Sequence, residues 1–321
     1  MQIPMGRGGI MPMTDHLVPV PGALSAQLAS VCSLATEGHQ WSAENVAAAR
    51  GVLAGEQSHV LITTLTARVS RRAGSTPGWA VLALPDTLGD EDLQRAAAGV
   101  LAALGRPFFS IDADGRLWIG RESSPASDAA SFGGLGPQRL HIDAPNVEHI
   151  PDYTSLLVLR ADPAGGGASL LGDLDAALAE LGASDRAALA EPIYFEGRAD
   201  GLHGVGETRL PFPVLEEAGG QRWIRWAAKM LDDDRNAGHT AALERFAAAL
   251  DRHTTTVMLG RGQLLIADQQ RIAHGRATLG DQSGLADGTR RWLAQAKVAY
   301  DAQAPAQRPA PTASSAGGRH A

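Results

Sequence analysis

Cysteine is almost missing from this chain of 321 residues: there is one, Cys32. An internal disulfide is therefore excluded, and nothing points to an oxidising compartment. Its setting in the apolar run "LASVCSLAT" makes it a small core residue rather than a reactive thiol. A basic block is missing too, and the net charge is −7. Binding to nucleic acid or to an anionic membrane needs a positive surface, so neither is expected as a partner. No apolar run reaches the roughly 20 residues of a membrane span. The opening "MQIPMGRGGIMPMTDH" lacks the continuous apolar stretch of a secretory signal. A soluble, cytoplasmic protein is expected. "GGLG" and "AGGGAS" hold glycines without the dinucleotide spacing, and strands do not alternate regularly with helices. A doubly wound nucleotide fold is thereby disfavoured, and no internal repeat is visible.

Hydrophobic residues, at 44%, are sufficient for a sizeable core. Residues 1–20 are rich in Met, Gly and Pro and are expected to be loose. Helical periodicity runs through Leu24 to Thr36 and through "SAENVAAARGVLA", with Ser42 as N-cap. "GWAVLALP" reads as a short buried strand. "GDEDLQRAAAGVLAALG" reads as a helix, with acids in its first turn and Gly105 beyond its end. From about Phe108 the texture changes to short strand-like runs: "FFSID", "GRLWIG", "RLHID", "TSLLVLRA", "RWIRWAA", "TTTVMLG", "QLLIAD" and "RRWLAQAKVAY". Helical inserts near 173–190 and 239–252 interrupt them. Many short strands with turn signals imply a mainly β sandwich or barrel with flanking α-helices. A single domain over 21–301, with its β core at about 107–300, is expected. The Pro/Ala/Ser-rich tail 302–321 is expected to be disordered.

"QRLHIDAPN" places His141 and Asp143 two apart at the end of an alternating stretch. Alternate residues of a strand share a face, so imidazole and carboxylate converge. A third ligand would make that point a metal site. Of the ten histidines, His16, His39, His59 and His320 lie in the terminal segments. His149, His203, His239 and His253 fall in predicted loops or on polar helix faces. His274 instead follows the strand and turn of "GQLLIADQQRIAHGR", which would aim it inward from a second hairpin. His141, Asp143 and His274 would then form the two-histidine, one-carboxylate face of non-haem Fe(II) oxygenases, with the opposite face open for a cosubstrate and O₂. On spacing alone a second reading stays open: a buried His–Asp pair and an unrelated histidine.

The block "LLIADQQRIAHGRATLGDQSGLADGTRRWLAQAKV" resembles the C-terminal signature of Fe(II)/2-oxoglutarate-dependent oxygenases of the clavaminate-synthase-like and taurine-dioxygenase-like superfamily. The matching residues are Asp268-Gln269, His274, Arg276 and Arg291-Trp292-Leu293. "LHIDAPN" followed by "PDYTSLLVLRADPAGGGASLL" resembles the proximal half, and the likeness spans roughly 78–300. It implies a double-stranded β-helix, or jelly roll, with helices packed outside. It implies Fe(II) on His141, Asp143 and His274, with 2-oxoglutarate as cosubstrate. Arg291 would pair with the distal carboxylate of 2-oxoglutarate through its planar guanidinium, with Ser169 hydrogen-bonding the same group. Gln295 stands where many relatives carry a second arginine, and Asp143 where halogenases carry Gly or Ala, so oxygenation is expected.

The reaction so implied is hydroxylation of an unactivated C–H, with release of succinate and CO₂. The substrate would be a free or carrier-bound amino acid, or a small natural-product molecule derived from one, as in antibiotic biosynthesis. Desaturation or cyclisation by the same oxidant stays open. So do two readings of another class, a zinc hydrolase and a non-catalytic jelly roll, although neither accounts for Arg291 and Ser169. For the substrate, "MLDDDRNAG" offers Asp232, Asp233 and Asp234 either as a solvated turn or as a lid gripping a cationic group. Gln138 and Arg139 precede His141, and plain alternation puts Arg139 on the ligand face, a placement that one residue of register would reverse.

Overall fold

The computed structural model describes residues 17–32, 42–71, 76–108, 117–197, 208–218, 221–282 and 284–307. His16, His39, His203 and His320 lie outside these, as do most of "FFSID" and the outer parts of both expected loose ends.

The chain begins with strand β1 (Leu17–Pro19) and helices α1 (Gly22–Val31), α2 (Ala43–Leu53) and α3 (His59–Arg68). Strand β2 (Trp79–Ala83), helix α4 (Asp90–Leu101) and strands β3 (Gly105–Phe108), β4 (Ile119–Glu122), β5 (Gln138–His141), β6 (Tyr153–Arg160) and β7 (Ser169–Asp173) follow. Next come α5 (Leu174–Ala179), α6 (Ala183–Leu189), the hairpin β8 (Leu215–Ala218) and β9 (Gln221–Ile224), and α7 (Thr240–Arg252). The last strands are β10 (Thr254–Val257), β11 (Gln263–Asp268), β12 (Ile272–Arg276) and β13 (Trp292–Tyr300).

Two sheets make the jelly roll. The larger runs β1-β2-β11-β6-β13-β3, with β4 also on β13; the smaller runs β10-β7-β12-β5. Strand alternation assigns the layers. On the larger sheet, Ala80, Leu82, Leu157, Leu264, Ile266, Ala294 and Ala296 face outward to α1–α4. Their neighbours Trp79, Val81, Leu156, Val158, Leu265 and Leu293 face inward, where they meet Leu171, Val257 and Ile272. On the smaller sheet, Leu140 and Ala273 face outward to Leu243, Phe246 and Leu250 of α7. The central strands are covered on both faces, which is why "VLAL", "LLVL" and "LLIA" read as unbroken apolar runs.

Local rules account for the helices. Ser42 caps α2, its Oγ accepting from the Asn45 N–H at 3.2 Å. Asp90, Glu91 and Asp92 sit in the first turn of α4, where the helix dipole favours anions. Gly105 is no cap, as it starts β3. A Cβ there would meet the Ala299 carbonyl oxygen at 1.8 Å, so only glycine permits this strand contact.

Three boundaries differ from the expectation. Within the segment expected to be loose, Leu17–Pro19 pairs in parallel with β2 and buries Val18. An isolated three-residue strand carries too little periodicity to be seen in sequence. β2 also belongs to the larger sheet, so the β core starts well before residue 107. In the tail, Ala304, Ala306 and Gln307 are buried. Gln307 Nε2 donates to Tyr153 Oη at 2.8 Å, and Thr66 Oγ1 donates to the Ala306 carbonyl at 3.2 Å. Hydrogen bonding and small-residue packing dock residues that a Pro/Ala composition suggested were free.

Candidate active site

β5 and β12 pair antiparallel with His141 opposite His274. The rings face each other with centroids 4.4 Å apart and planes tilted by 43°. The register then shifts, because Arg276 pairs with Gln138, so β5 carries one extra residue opposite Gly275. This bulge reverses the parity of β5 upstream of His141. Gln138, not Arg139, shares the cavity face with His141. Gly275 makes the bulge possible: a Cβ there would lie 2.7 Å from the Gln138 carbonyl oxygen.

Asp143 lies beyond the end of β5 and is aimed by a turn rather than by strand alternation. Ile142 N–H donates to the Trp226 carbonyl at 2.8 Å. Gln269, fully buried, accepts from the Asp143 N–H and donates to the Pro151 carbonyl, the latter at 2.7 Å. Ala144 follows with φ +52°, a left-handed conformation that non-glycine residues adopt at a cost. The donor atoms of His141, Asp143 and His274 thereby come within 4.8 Å of one another.

The electrostatics suit a cation. Burial holds both imidazoles neutral, His141 below its ordinary range and His274 down to about 3. Burial alone would raise the Asp143 carboxyl, but the charge of Lys297 foremost outweighs it and keeps the group well below the usual carboxylate range. His141 Nδ1 lies 2.8 Å from the Arg139 carbonyl, which orients the ring and leaves Nε2 for another partner. His274 is buried, and its Nδ1 has no hydrogen-bond partner among the described residues.

A cavity of about 110 Å³ opens beside the three. Ser169, Arg276 and Arg291 line one side, and Gln138 and Gln295 line others. Arg291 is buried, and no carboxylate lies within ion-pair distance among the described residues. Burial, with the neighbouring Arg276, pulls its guanidinium down to about 9 against the pull of Asp162. Arg276 donates to the carbonyls of Phe132 and Gly136, which fixes the wall carrying Phe132.

Of the residues singled out in the sequence, His141, Asp143, His274, Ser169, Arg291 and Gln138 converge here. Arg139 and the acidic turn do not line the cavity. Arg139 pairs with Asp232 at the surface, Asp233 pairs with Arg235, and Asp234 is exposed. His59, His149 and His239 are exposed, and His253 pairs with Glu180. Lys297, 3.6 Å from Asp143 Oδ1, was not singled out in the sequence, nor was Phe132. For Lys297 a signal existed: Arg291, Leu293, Gln295 and Lys297 alternate along one strand.

A jelly roll that gathers two neutral imidazoles and a carboxylate beside a buried arginine with no acid partner among the described residues has the framework of a non-haem metalloenzyme with an anionic cosubstrate. The chain belongs to the taurine catabolism dioxygenase TauD, TfdA family, which it matches over residues 76–296. It is 31% identical to an L-asparagine oxygenase of Streptomyces coelicolor over 156 residues, which span 48% of this chain and 45% of that enzyme. Among solved structures, asparagine oxygenase (AsnO) superposes with a TM-score of 0.68 at 23% identity, covering 90% of this chain and 94% of that one. The non-haem iron oxygenase OrfP in complex with Fe and alpha-ketoglutaric acid gives 0.63 at 19% identity, covering 89% and 94%. The fold is thus that of these oxygenases. Among the described residues, no helix is long and apolar enough to cross a membrane.

Proposed function

We propose that this chain is a non-haem Fe(II)- and 2-oxoglutarate-dependent oxygenase that hydroxylates an unactivated C–H of an amino acid or a molecule derived from one, releasing succinate and CO₂. The observation that carries this reading is the convergence of His141, Asp143 and His274 beside Arg291 and Ser169 in one cavity. The donor set fits Fe(II): two neutral nitrogens, one ionised carboxylate, and a buried imidazole whose Nδ1 has no hydrogen-bond partner among the described residues. His141, Asp143 and His274 would hold the ion, which supplies the oxidising chemistry when 2-oxoglutarate and O₂ are present.

The protein's own residues do the positioning. Arg291 offers a planar, desolvated guanidinium to the far carboxylate of the cosubstrate, and Ser169 offers a hydroxyl beside it. The Phe132 wall, fixed by Arg276, keeps that end of the cavity dry, which strengthens both contacts. Gln138 presents an amide at the cavity for a polar group of substrate or cosubstrate. An amino-acid substrate is supported by the asparagine oxygenase relative, and by the OrfP structure in complex with Fe and L-Arg. A carrier-bound form of the substrate and a cytoplasmic setting are part of the same proposal. Arg139, Asp232 and Asp234 would belong to a lid over the substrate, latched to β5 by the Arg139–Asp232 pair. Replacing Asp232, Asp233 and Asp234 with Asn should then lower substrate turnover while substrate-free succinate release persists.

The decisive test is anaerobic addition of Fe(II) and 2-oxoglutarate, followed by a succinate-release screen over amino acids and their derivatives. A weak visible charge-transfer band, lost in His274→Ala, is expected. Full activity in His141→Ala or His274→Ala would sink the ligand assignment.

A further inference from the structure

Arg291, just before β13, and Leu293, Gln295 and Lys297 on it face the interior of the jelly roll, the last three by alternation. The first three line the cavity, and Lys297 lies one step deeper, opposite Thr154 of β6, with its side chain buried. Its Nζ stands 3.6 Å from Asp143 Oδ1 and donates to Gln295 Oε1 at 3.2 Å. Gln295 in turn points its Nε2 at Thr154 Oγ1, 3.2 Å away, and at Asp143 Oδ2, 3.3 Å away. One carboxylate is thus met by an ammonium, and by an amide that the same ammonium orients. A buried ammonium is costly unless it is paired. Asp143 is the one carboxylate within ion-pair distance of Lys297 among the described residues.

We infer that Lys297 is a positioning residue: an internal counterion that occupies and aims Asp143 in the metal-free protein and competes with the metal for that carboxylate. This rests on the reading of His141, Asp143 and His274 as a metal face. Removing the ammonium has two opposite effects. The metal-free protein keeps a buried carboxylate that has lost a partner, so it becomes less stable. An arriving dication meets one positive charge fewer and gains an uncontested ligand, so it binds more tightly. Gln295, oriented then by Thr154 Oγ1 alone, still has its Nε2 within reach of both oxygens of Asp143. A lysine serving only as packing would destabilise the metal-free and metal-loaded forms alike.

The test is calorimetric titration with Mn(II), together with thermal midpoints with and without Mn(II). The proteins are the full-length wild type, Lys297→Met, Lys297→Arg, and the double variant Asp143→Asn/Lys297→Met. Lys297→Met should show a lower metal-free midpoint, a larger Mn(II)-induced rise, and Mn(II) affinity tighter by at least about tenfold, a lower bound because charges a few ångströms apart at an effective dielectric of about 20 interact by more than that factor. Lys297→Arg should stay near wild type. If Lys297→Met does not fold, the double variant, which removes both charges, should. A Lys297→Met protein with unchanged or weaker Mn(II) affinity and an unchanged metal-induced rise overturns the inference, as does a double variant that fails to fold. A wild-type protein with no Mn(II) response overturns the metal face itself, a different and distinguishable failure.

Discussion

Replacing Gly275 by alanine adds a single methyl group at the point where the metal face is assembled. Its Cβ would lie 2.7 Å from the Gln138 carbonyl oxygen and 3.3 Å from both Arg139 C and Leu140 N, against the 3.4 Å at which ordinary contact begins. These are backbone atoms, so no rotamer change relieves the clash. The two strands must part by about 0.7 Å at the bulge. Overpacking of this kind costs about 1–3 kcal/mol. At roughly 2 °C per kcal/mol for a domain of this size, the thermal midpoint should fall by a few degrees. The larger effect is on the site. His274 precedes Gly275 and His141 pairs with His274, so the parting displaces one imidazole relative to the other. Site geometry tolerates only about 0.5 Å of error. Fe(II) affinity measured anaerobically should therefore weaken at least about tenfold. Gly51, mid-helix in α2 with nothing within 4 Å of where an added methyl would stand, is the control. Gly51→Ala should gain about 0.5–1 kcal/mol and leave Fe(II) binding unchanged. A Gly275→Ala protein with wild-type midpoint and wild-type Fe(II) affinity would refute the role of the bulge.

Arg291→Gln should raise the 2-oxoglutarate requirement strongly, since a buried carboxylate that loses its charged partner costs about 3–5 kcal/mol, whereas Ser169→Ala should cost about 1 kcal/mol; cosubstrate titrations of both variants decide this. The metal-free protein should lose stability as pH falls below about 6.5, with the His274 contribution lost progressively down to about 3. The unfolded chain takes up protons on His141 and His274 as pH falls through their ordinary range, while the folded one, with both imidazoles depressed, takes them up only at lower pH. The slope is at most about 1.4 kcal/mol per pH unit for each histidine, and the double variant His141→Gln/His274→Gln should show a flatter profile; equal slopes would contradict the assigned burial. Removing residues 308–321 should leave the midpoint unchanged, but removing 304–321 should lower it by several degrees, because the second cut takes away Gln307 and its bond to Tyr153.

The sequence by itself determined the class of fold and offered His141, Asp143 and His274 as a candidate donor set. The roles of His274 and Arg291 came from the resemblance to the oxygenase family, whereas the apolar strands of the two sheets, separated by turn residues, are properties of neighbouring positions. Such patterns survive in one dimension because alternation and helical period are local consequences of backbone geometry. The face that Arg139 presents could not be read this way, because it depends on an extra residue in β5 that exists only opposite Gly275 of a partner strand more than a hundred residues away. Asp143 is aimed by a turn clasped by Gln269, a long-range hydrogen bond that no local period announces. Lys297 was visible as part of an alternating row, but its partner became known only when β13 packed beside Asp143. The docking of residues 304–307 and the pairing of Leu17–Pro19 followed the same rule. Register, bulges and buried charge pairs are set by contacts between distant segments, and only the tertiary structure brings those segments together.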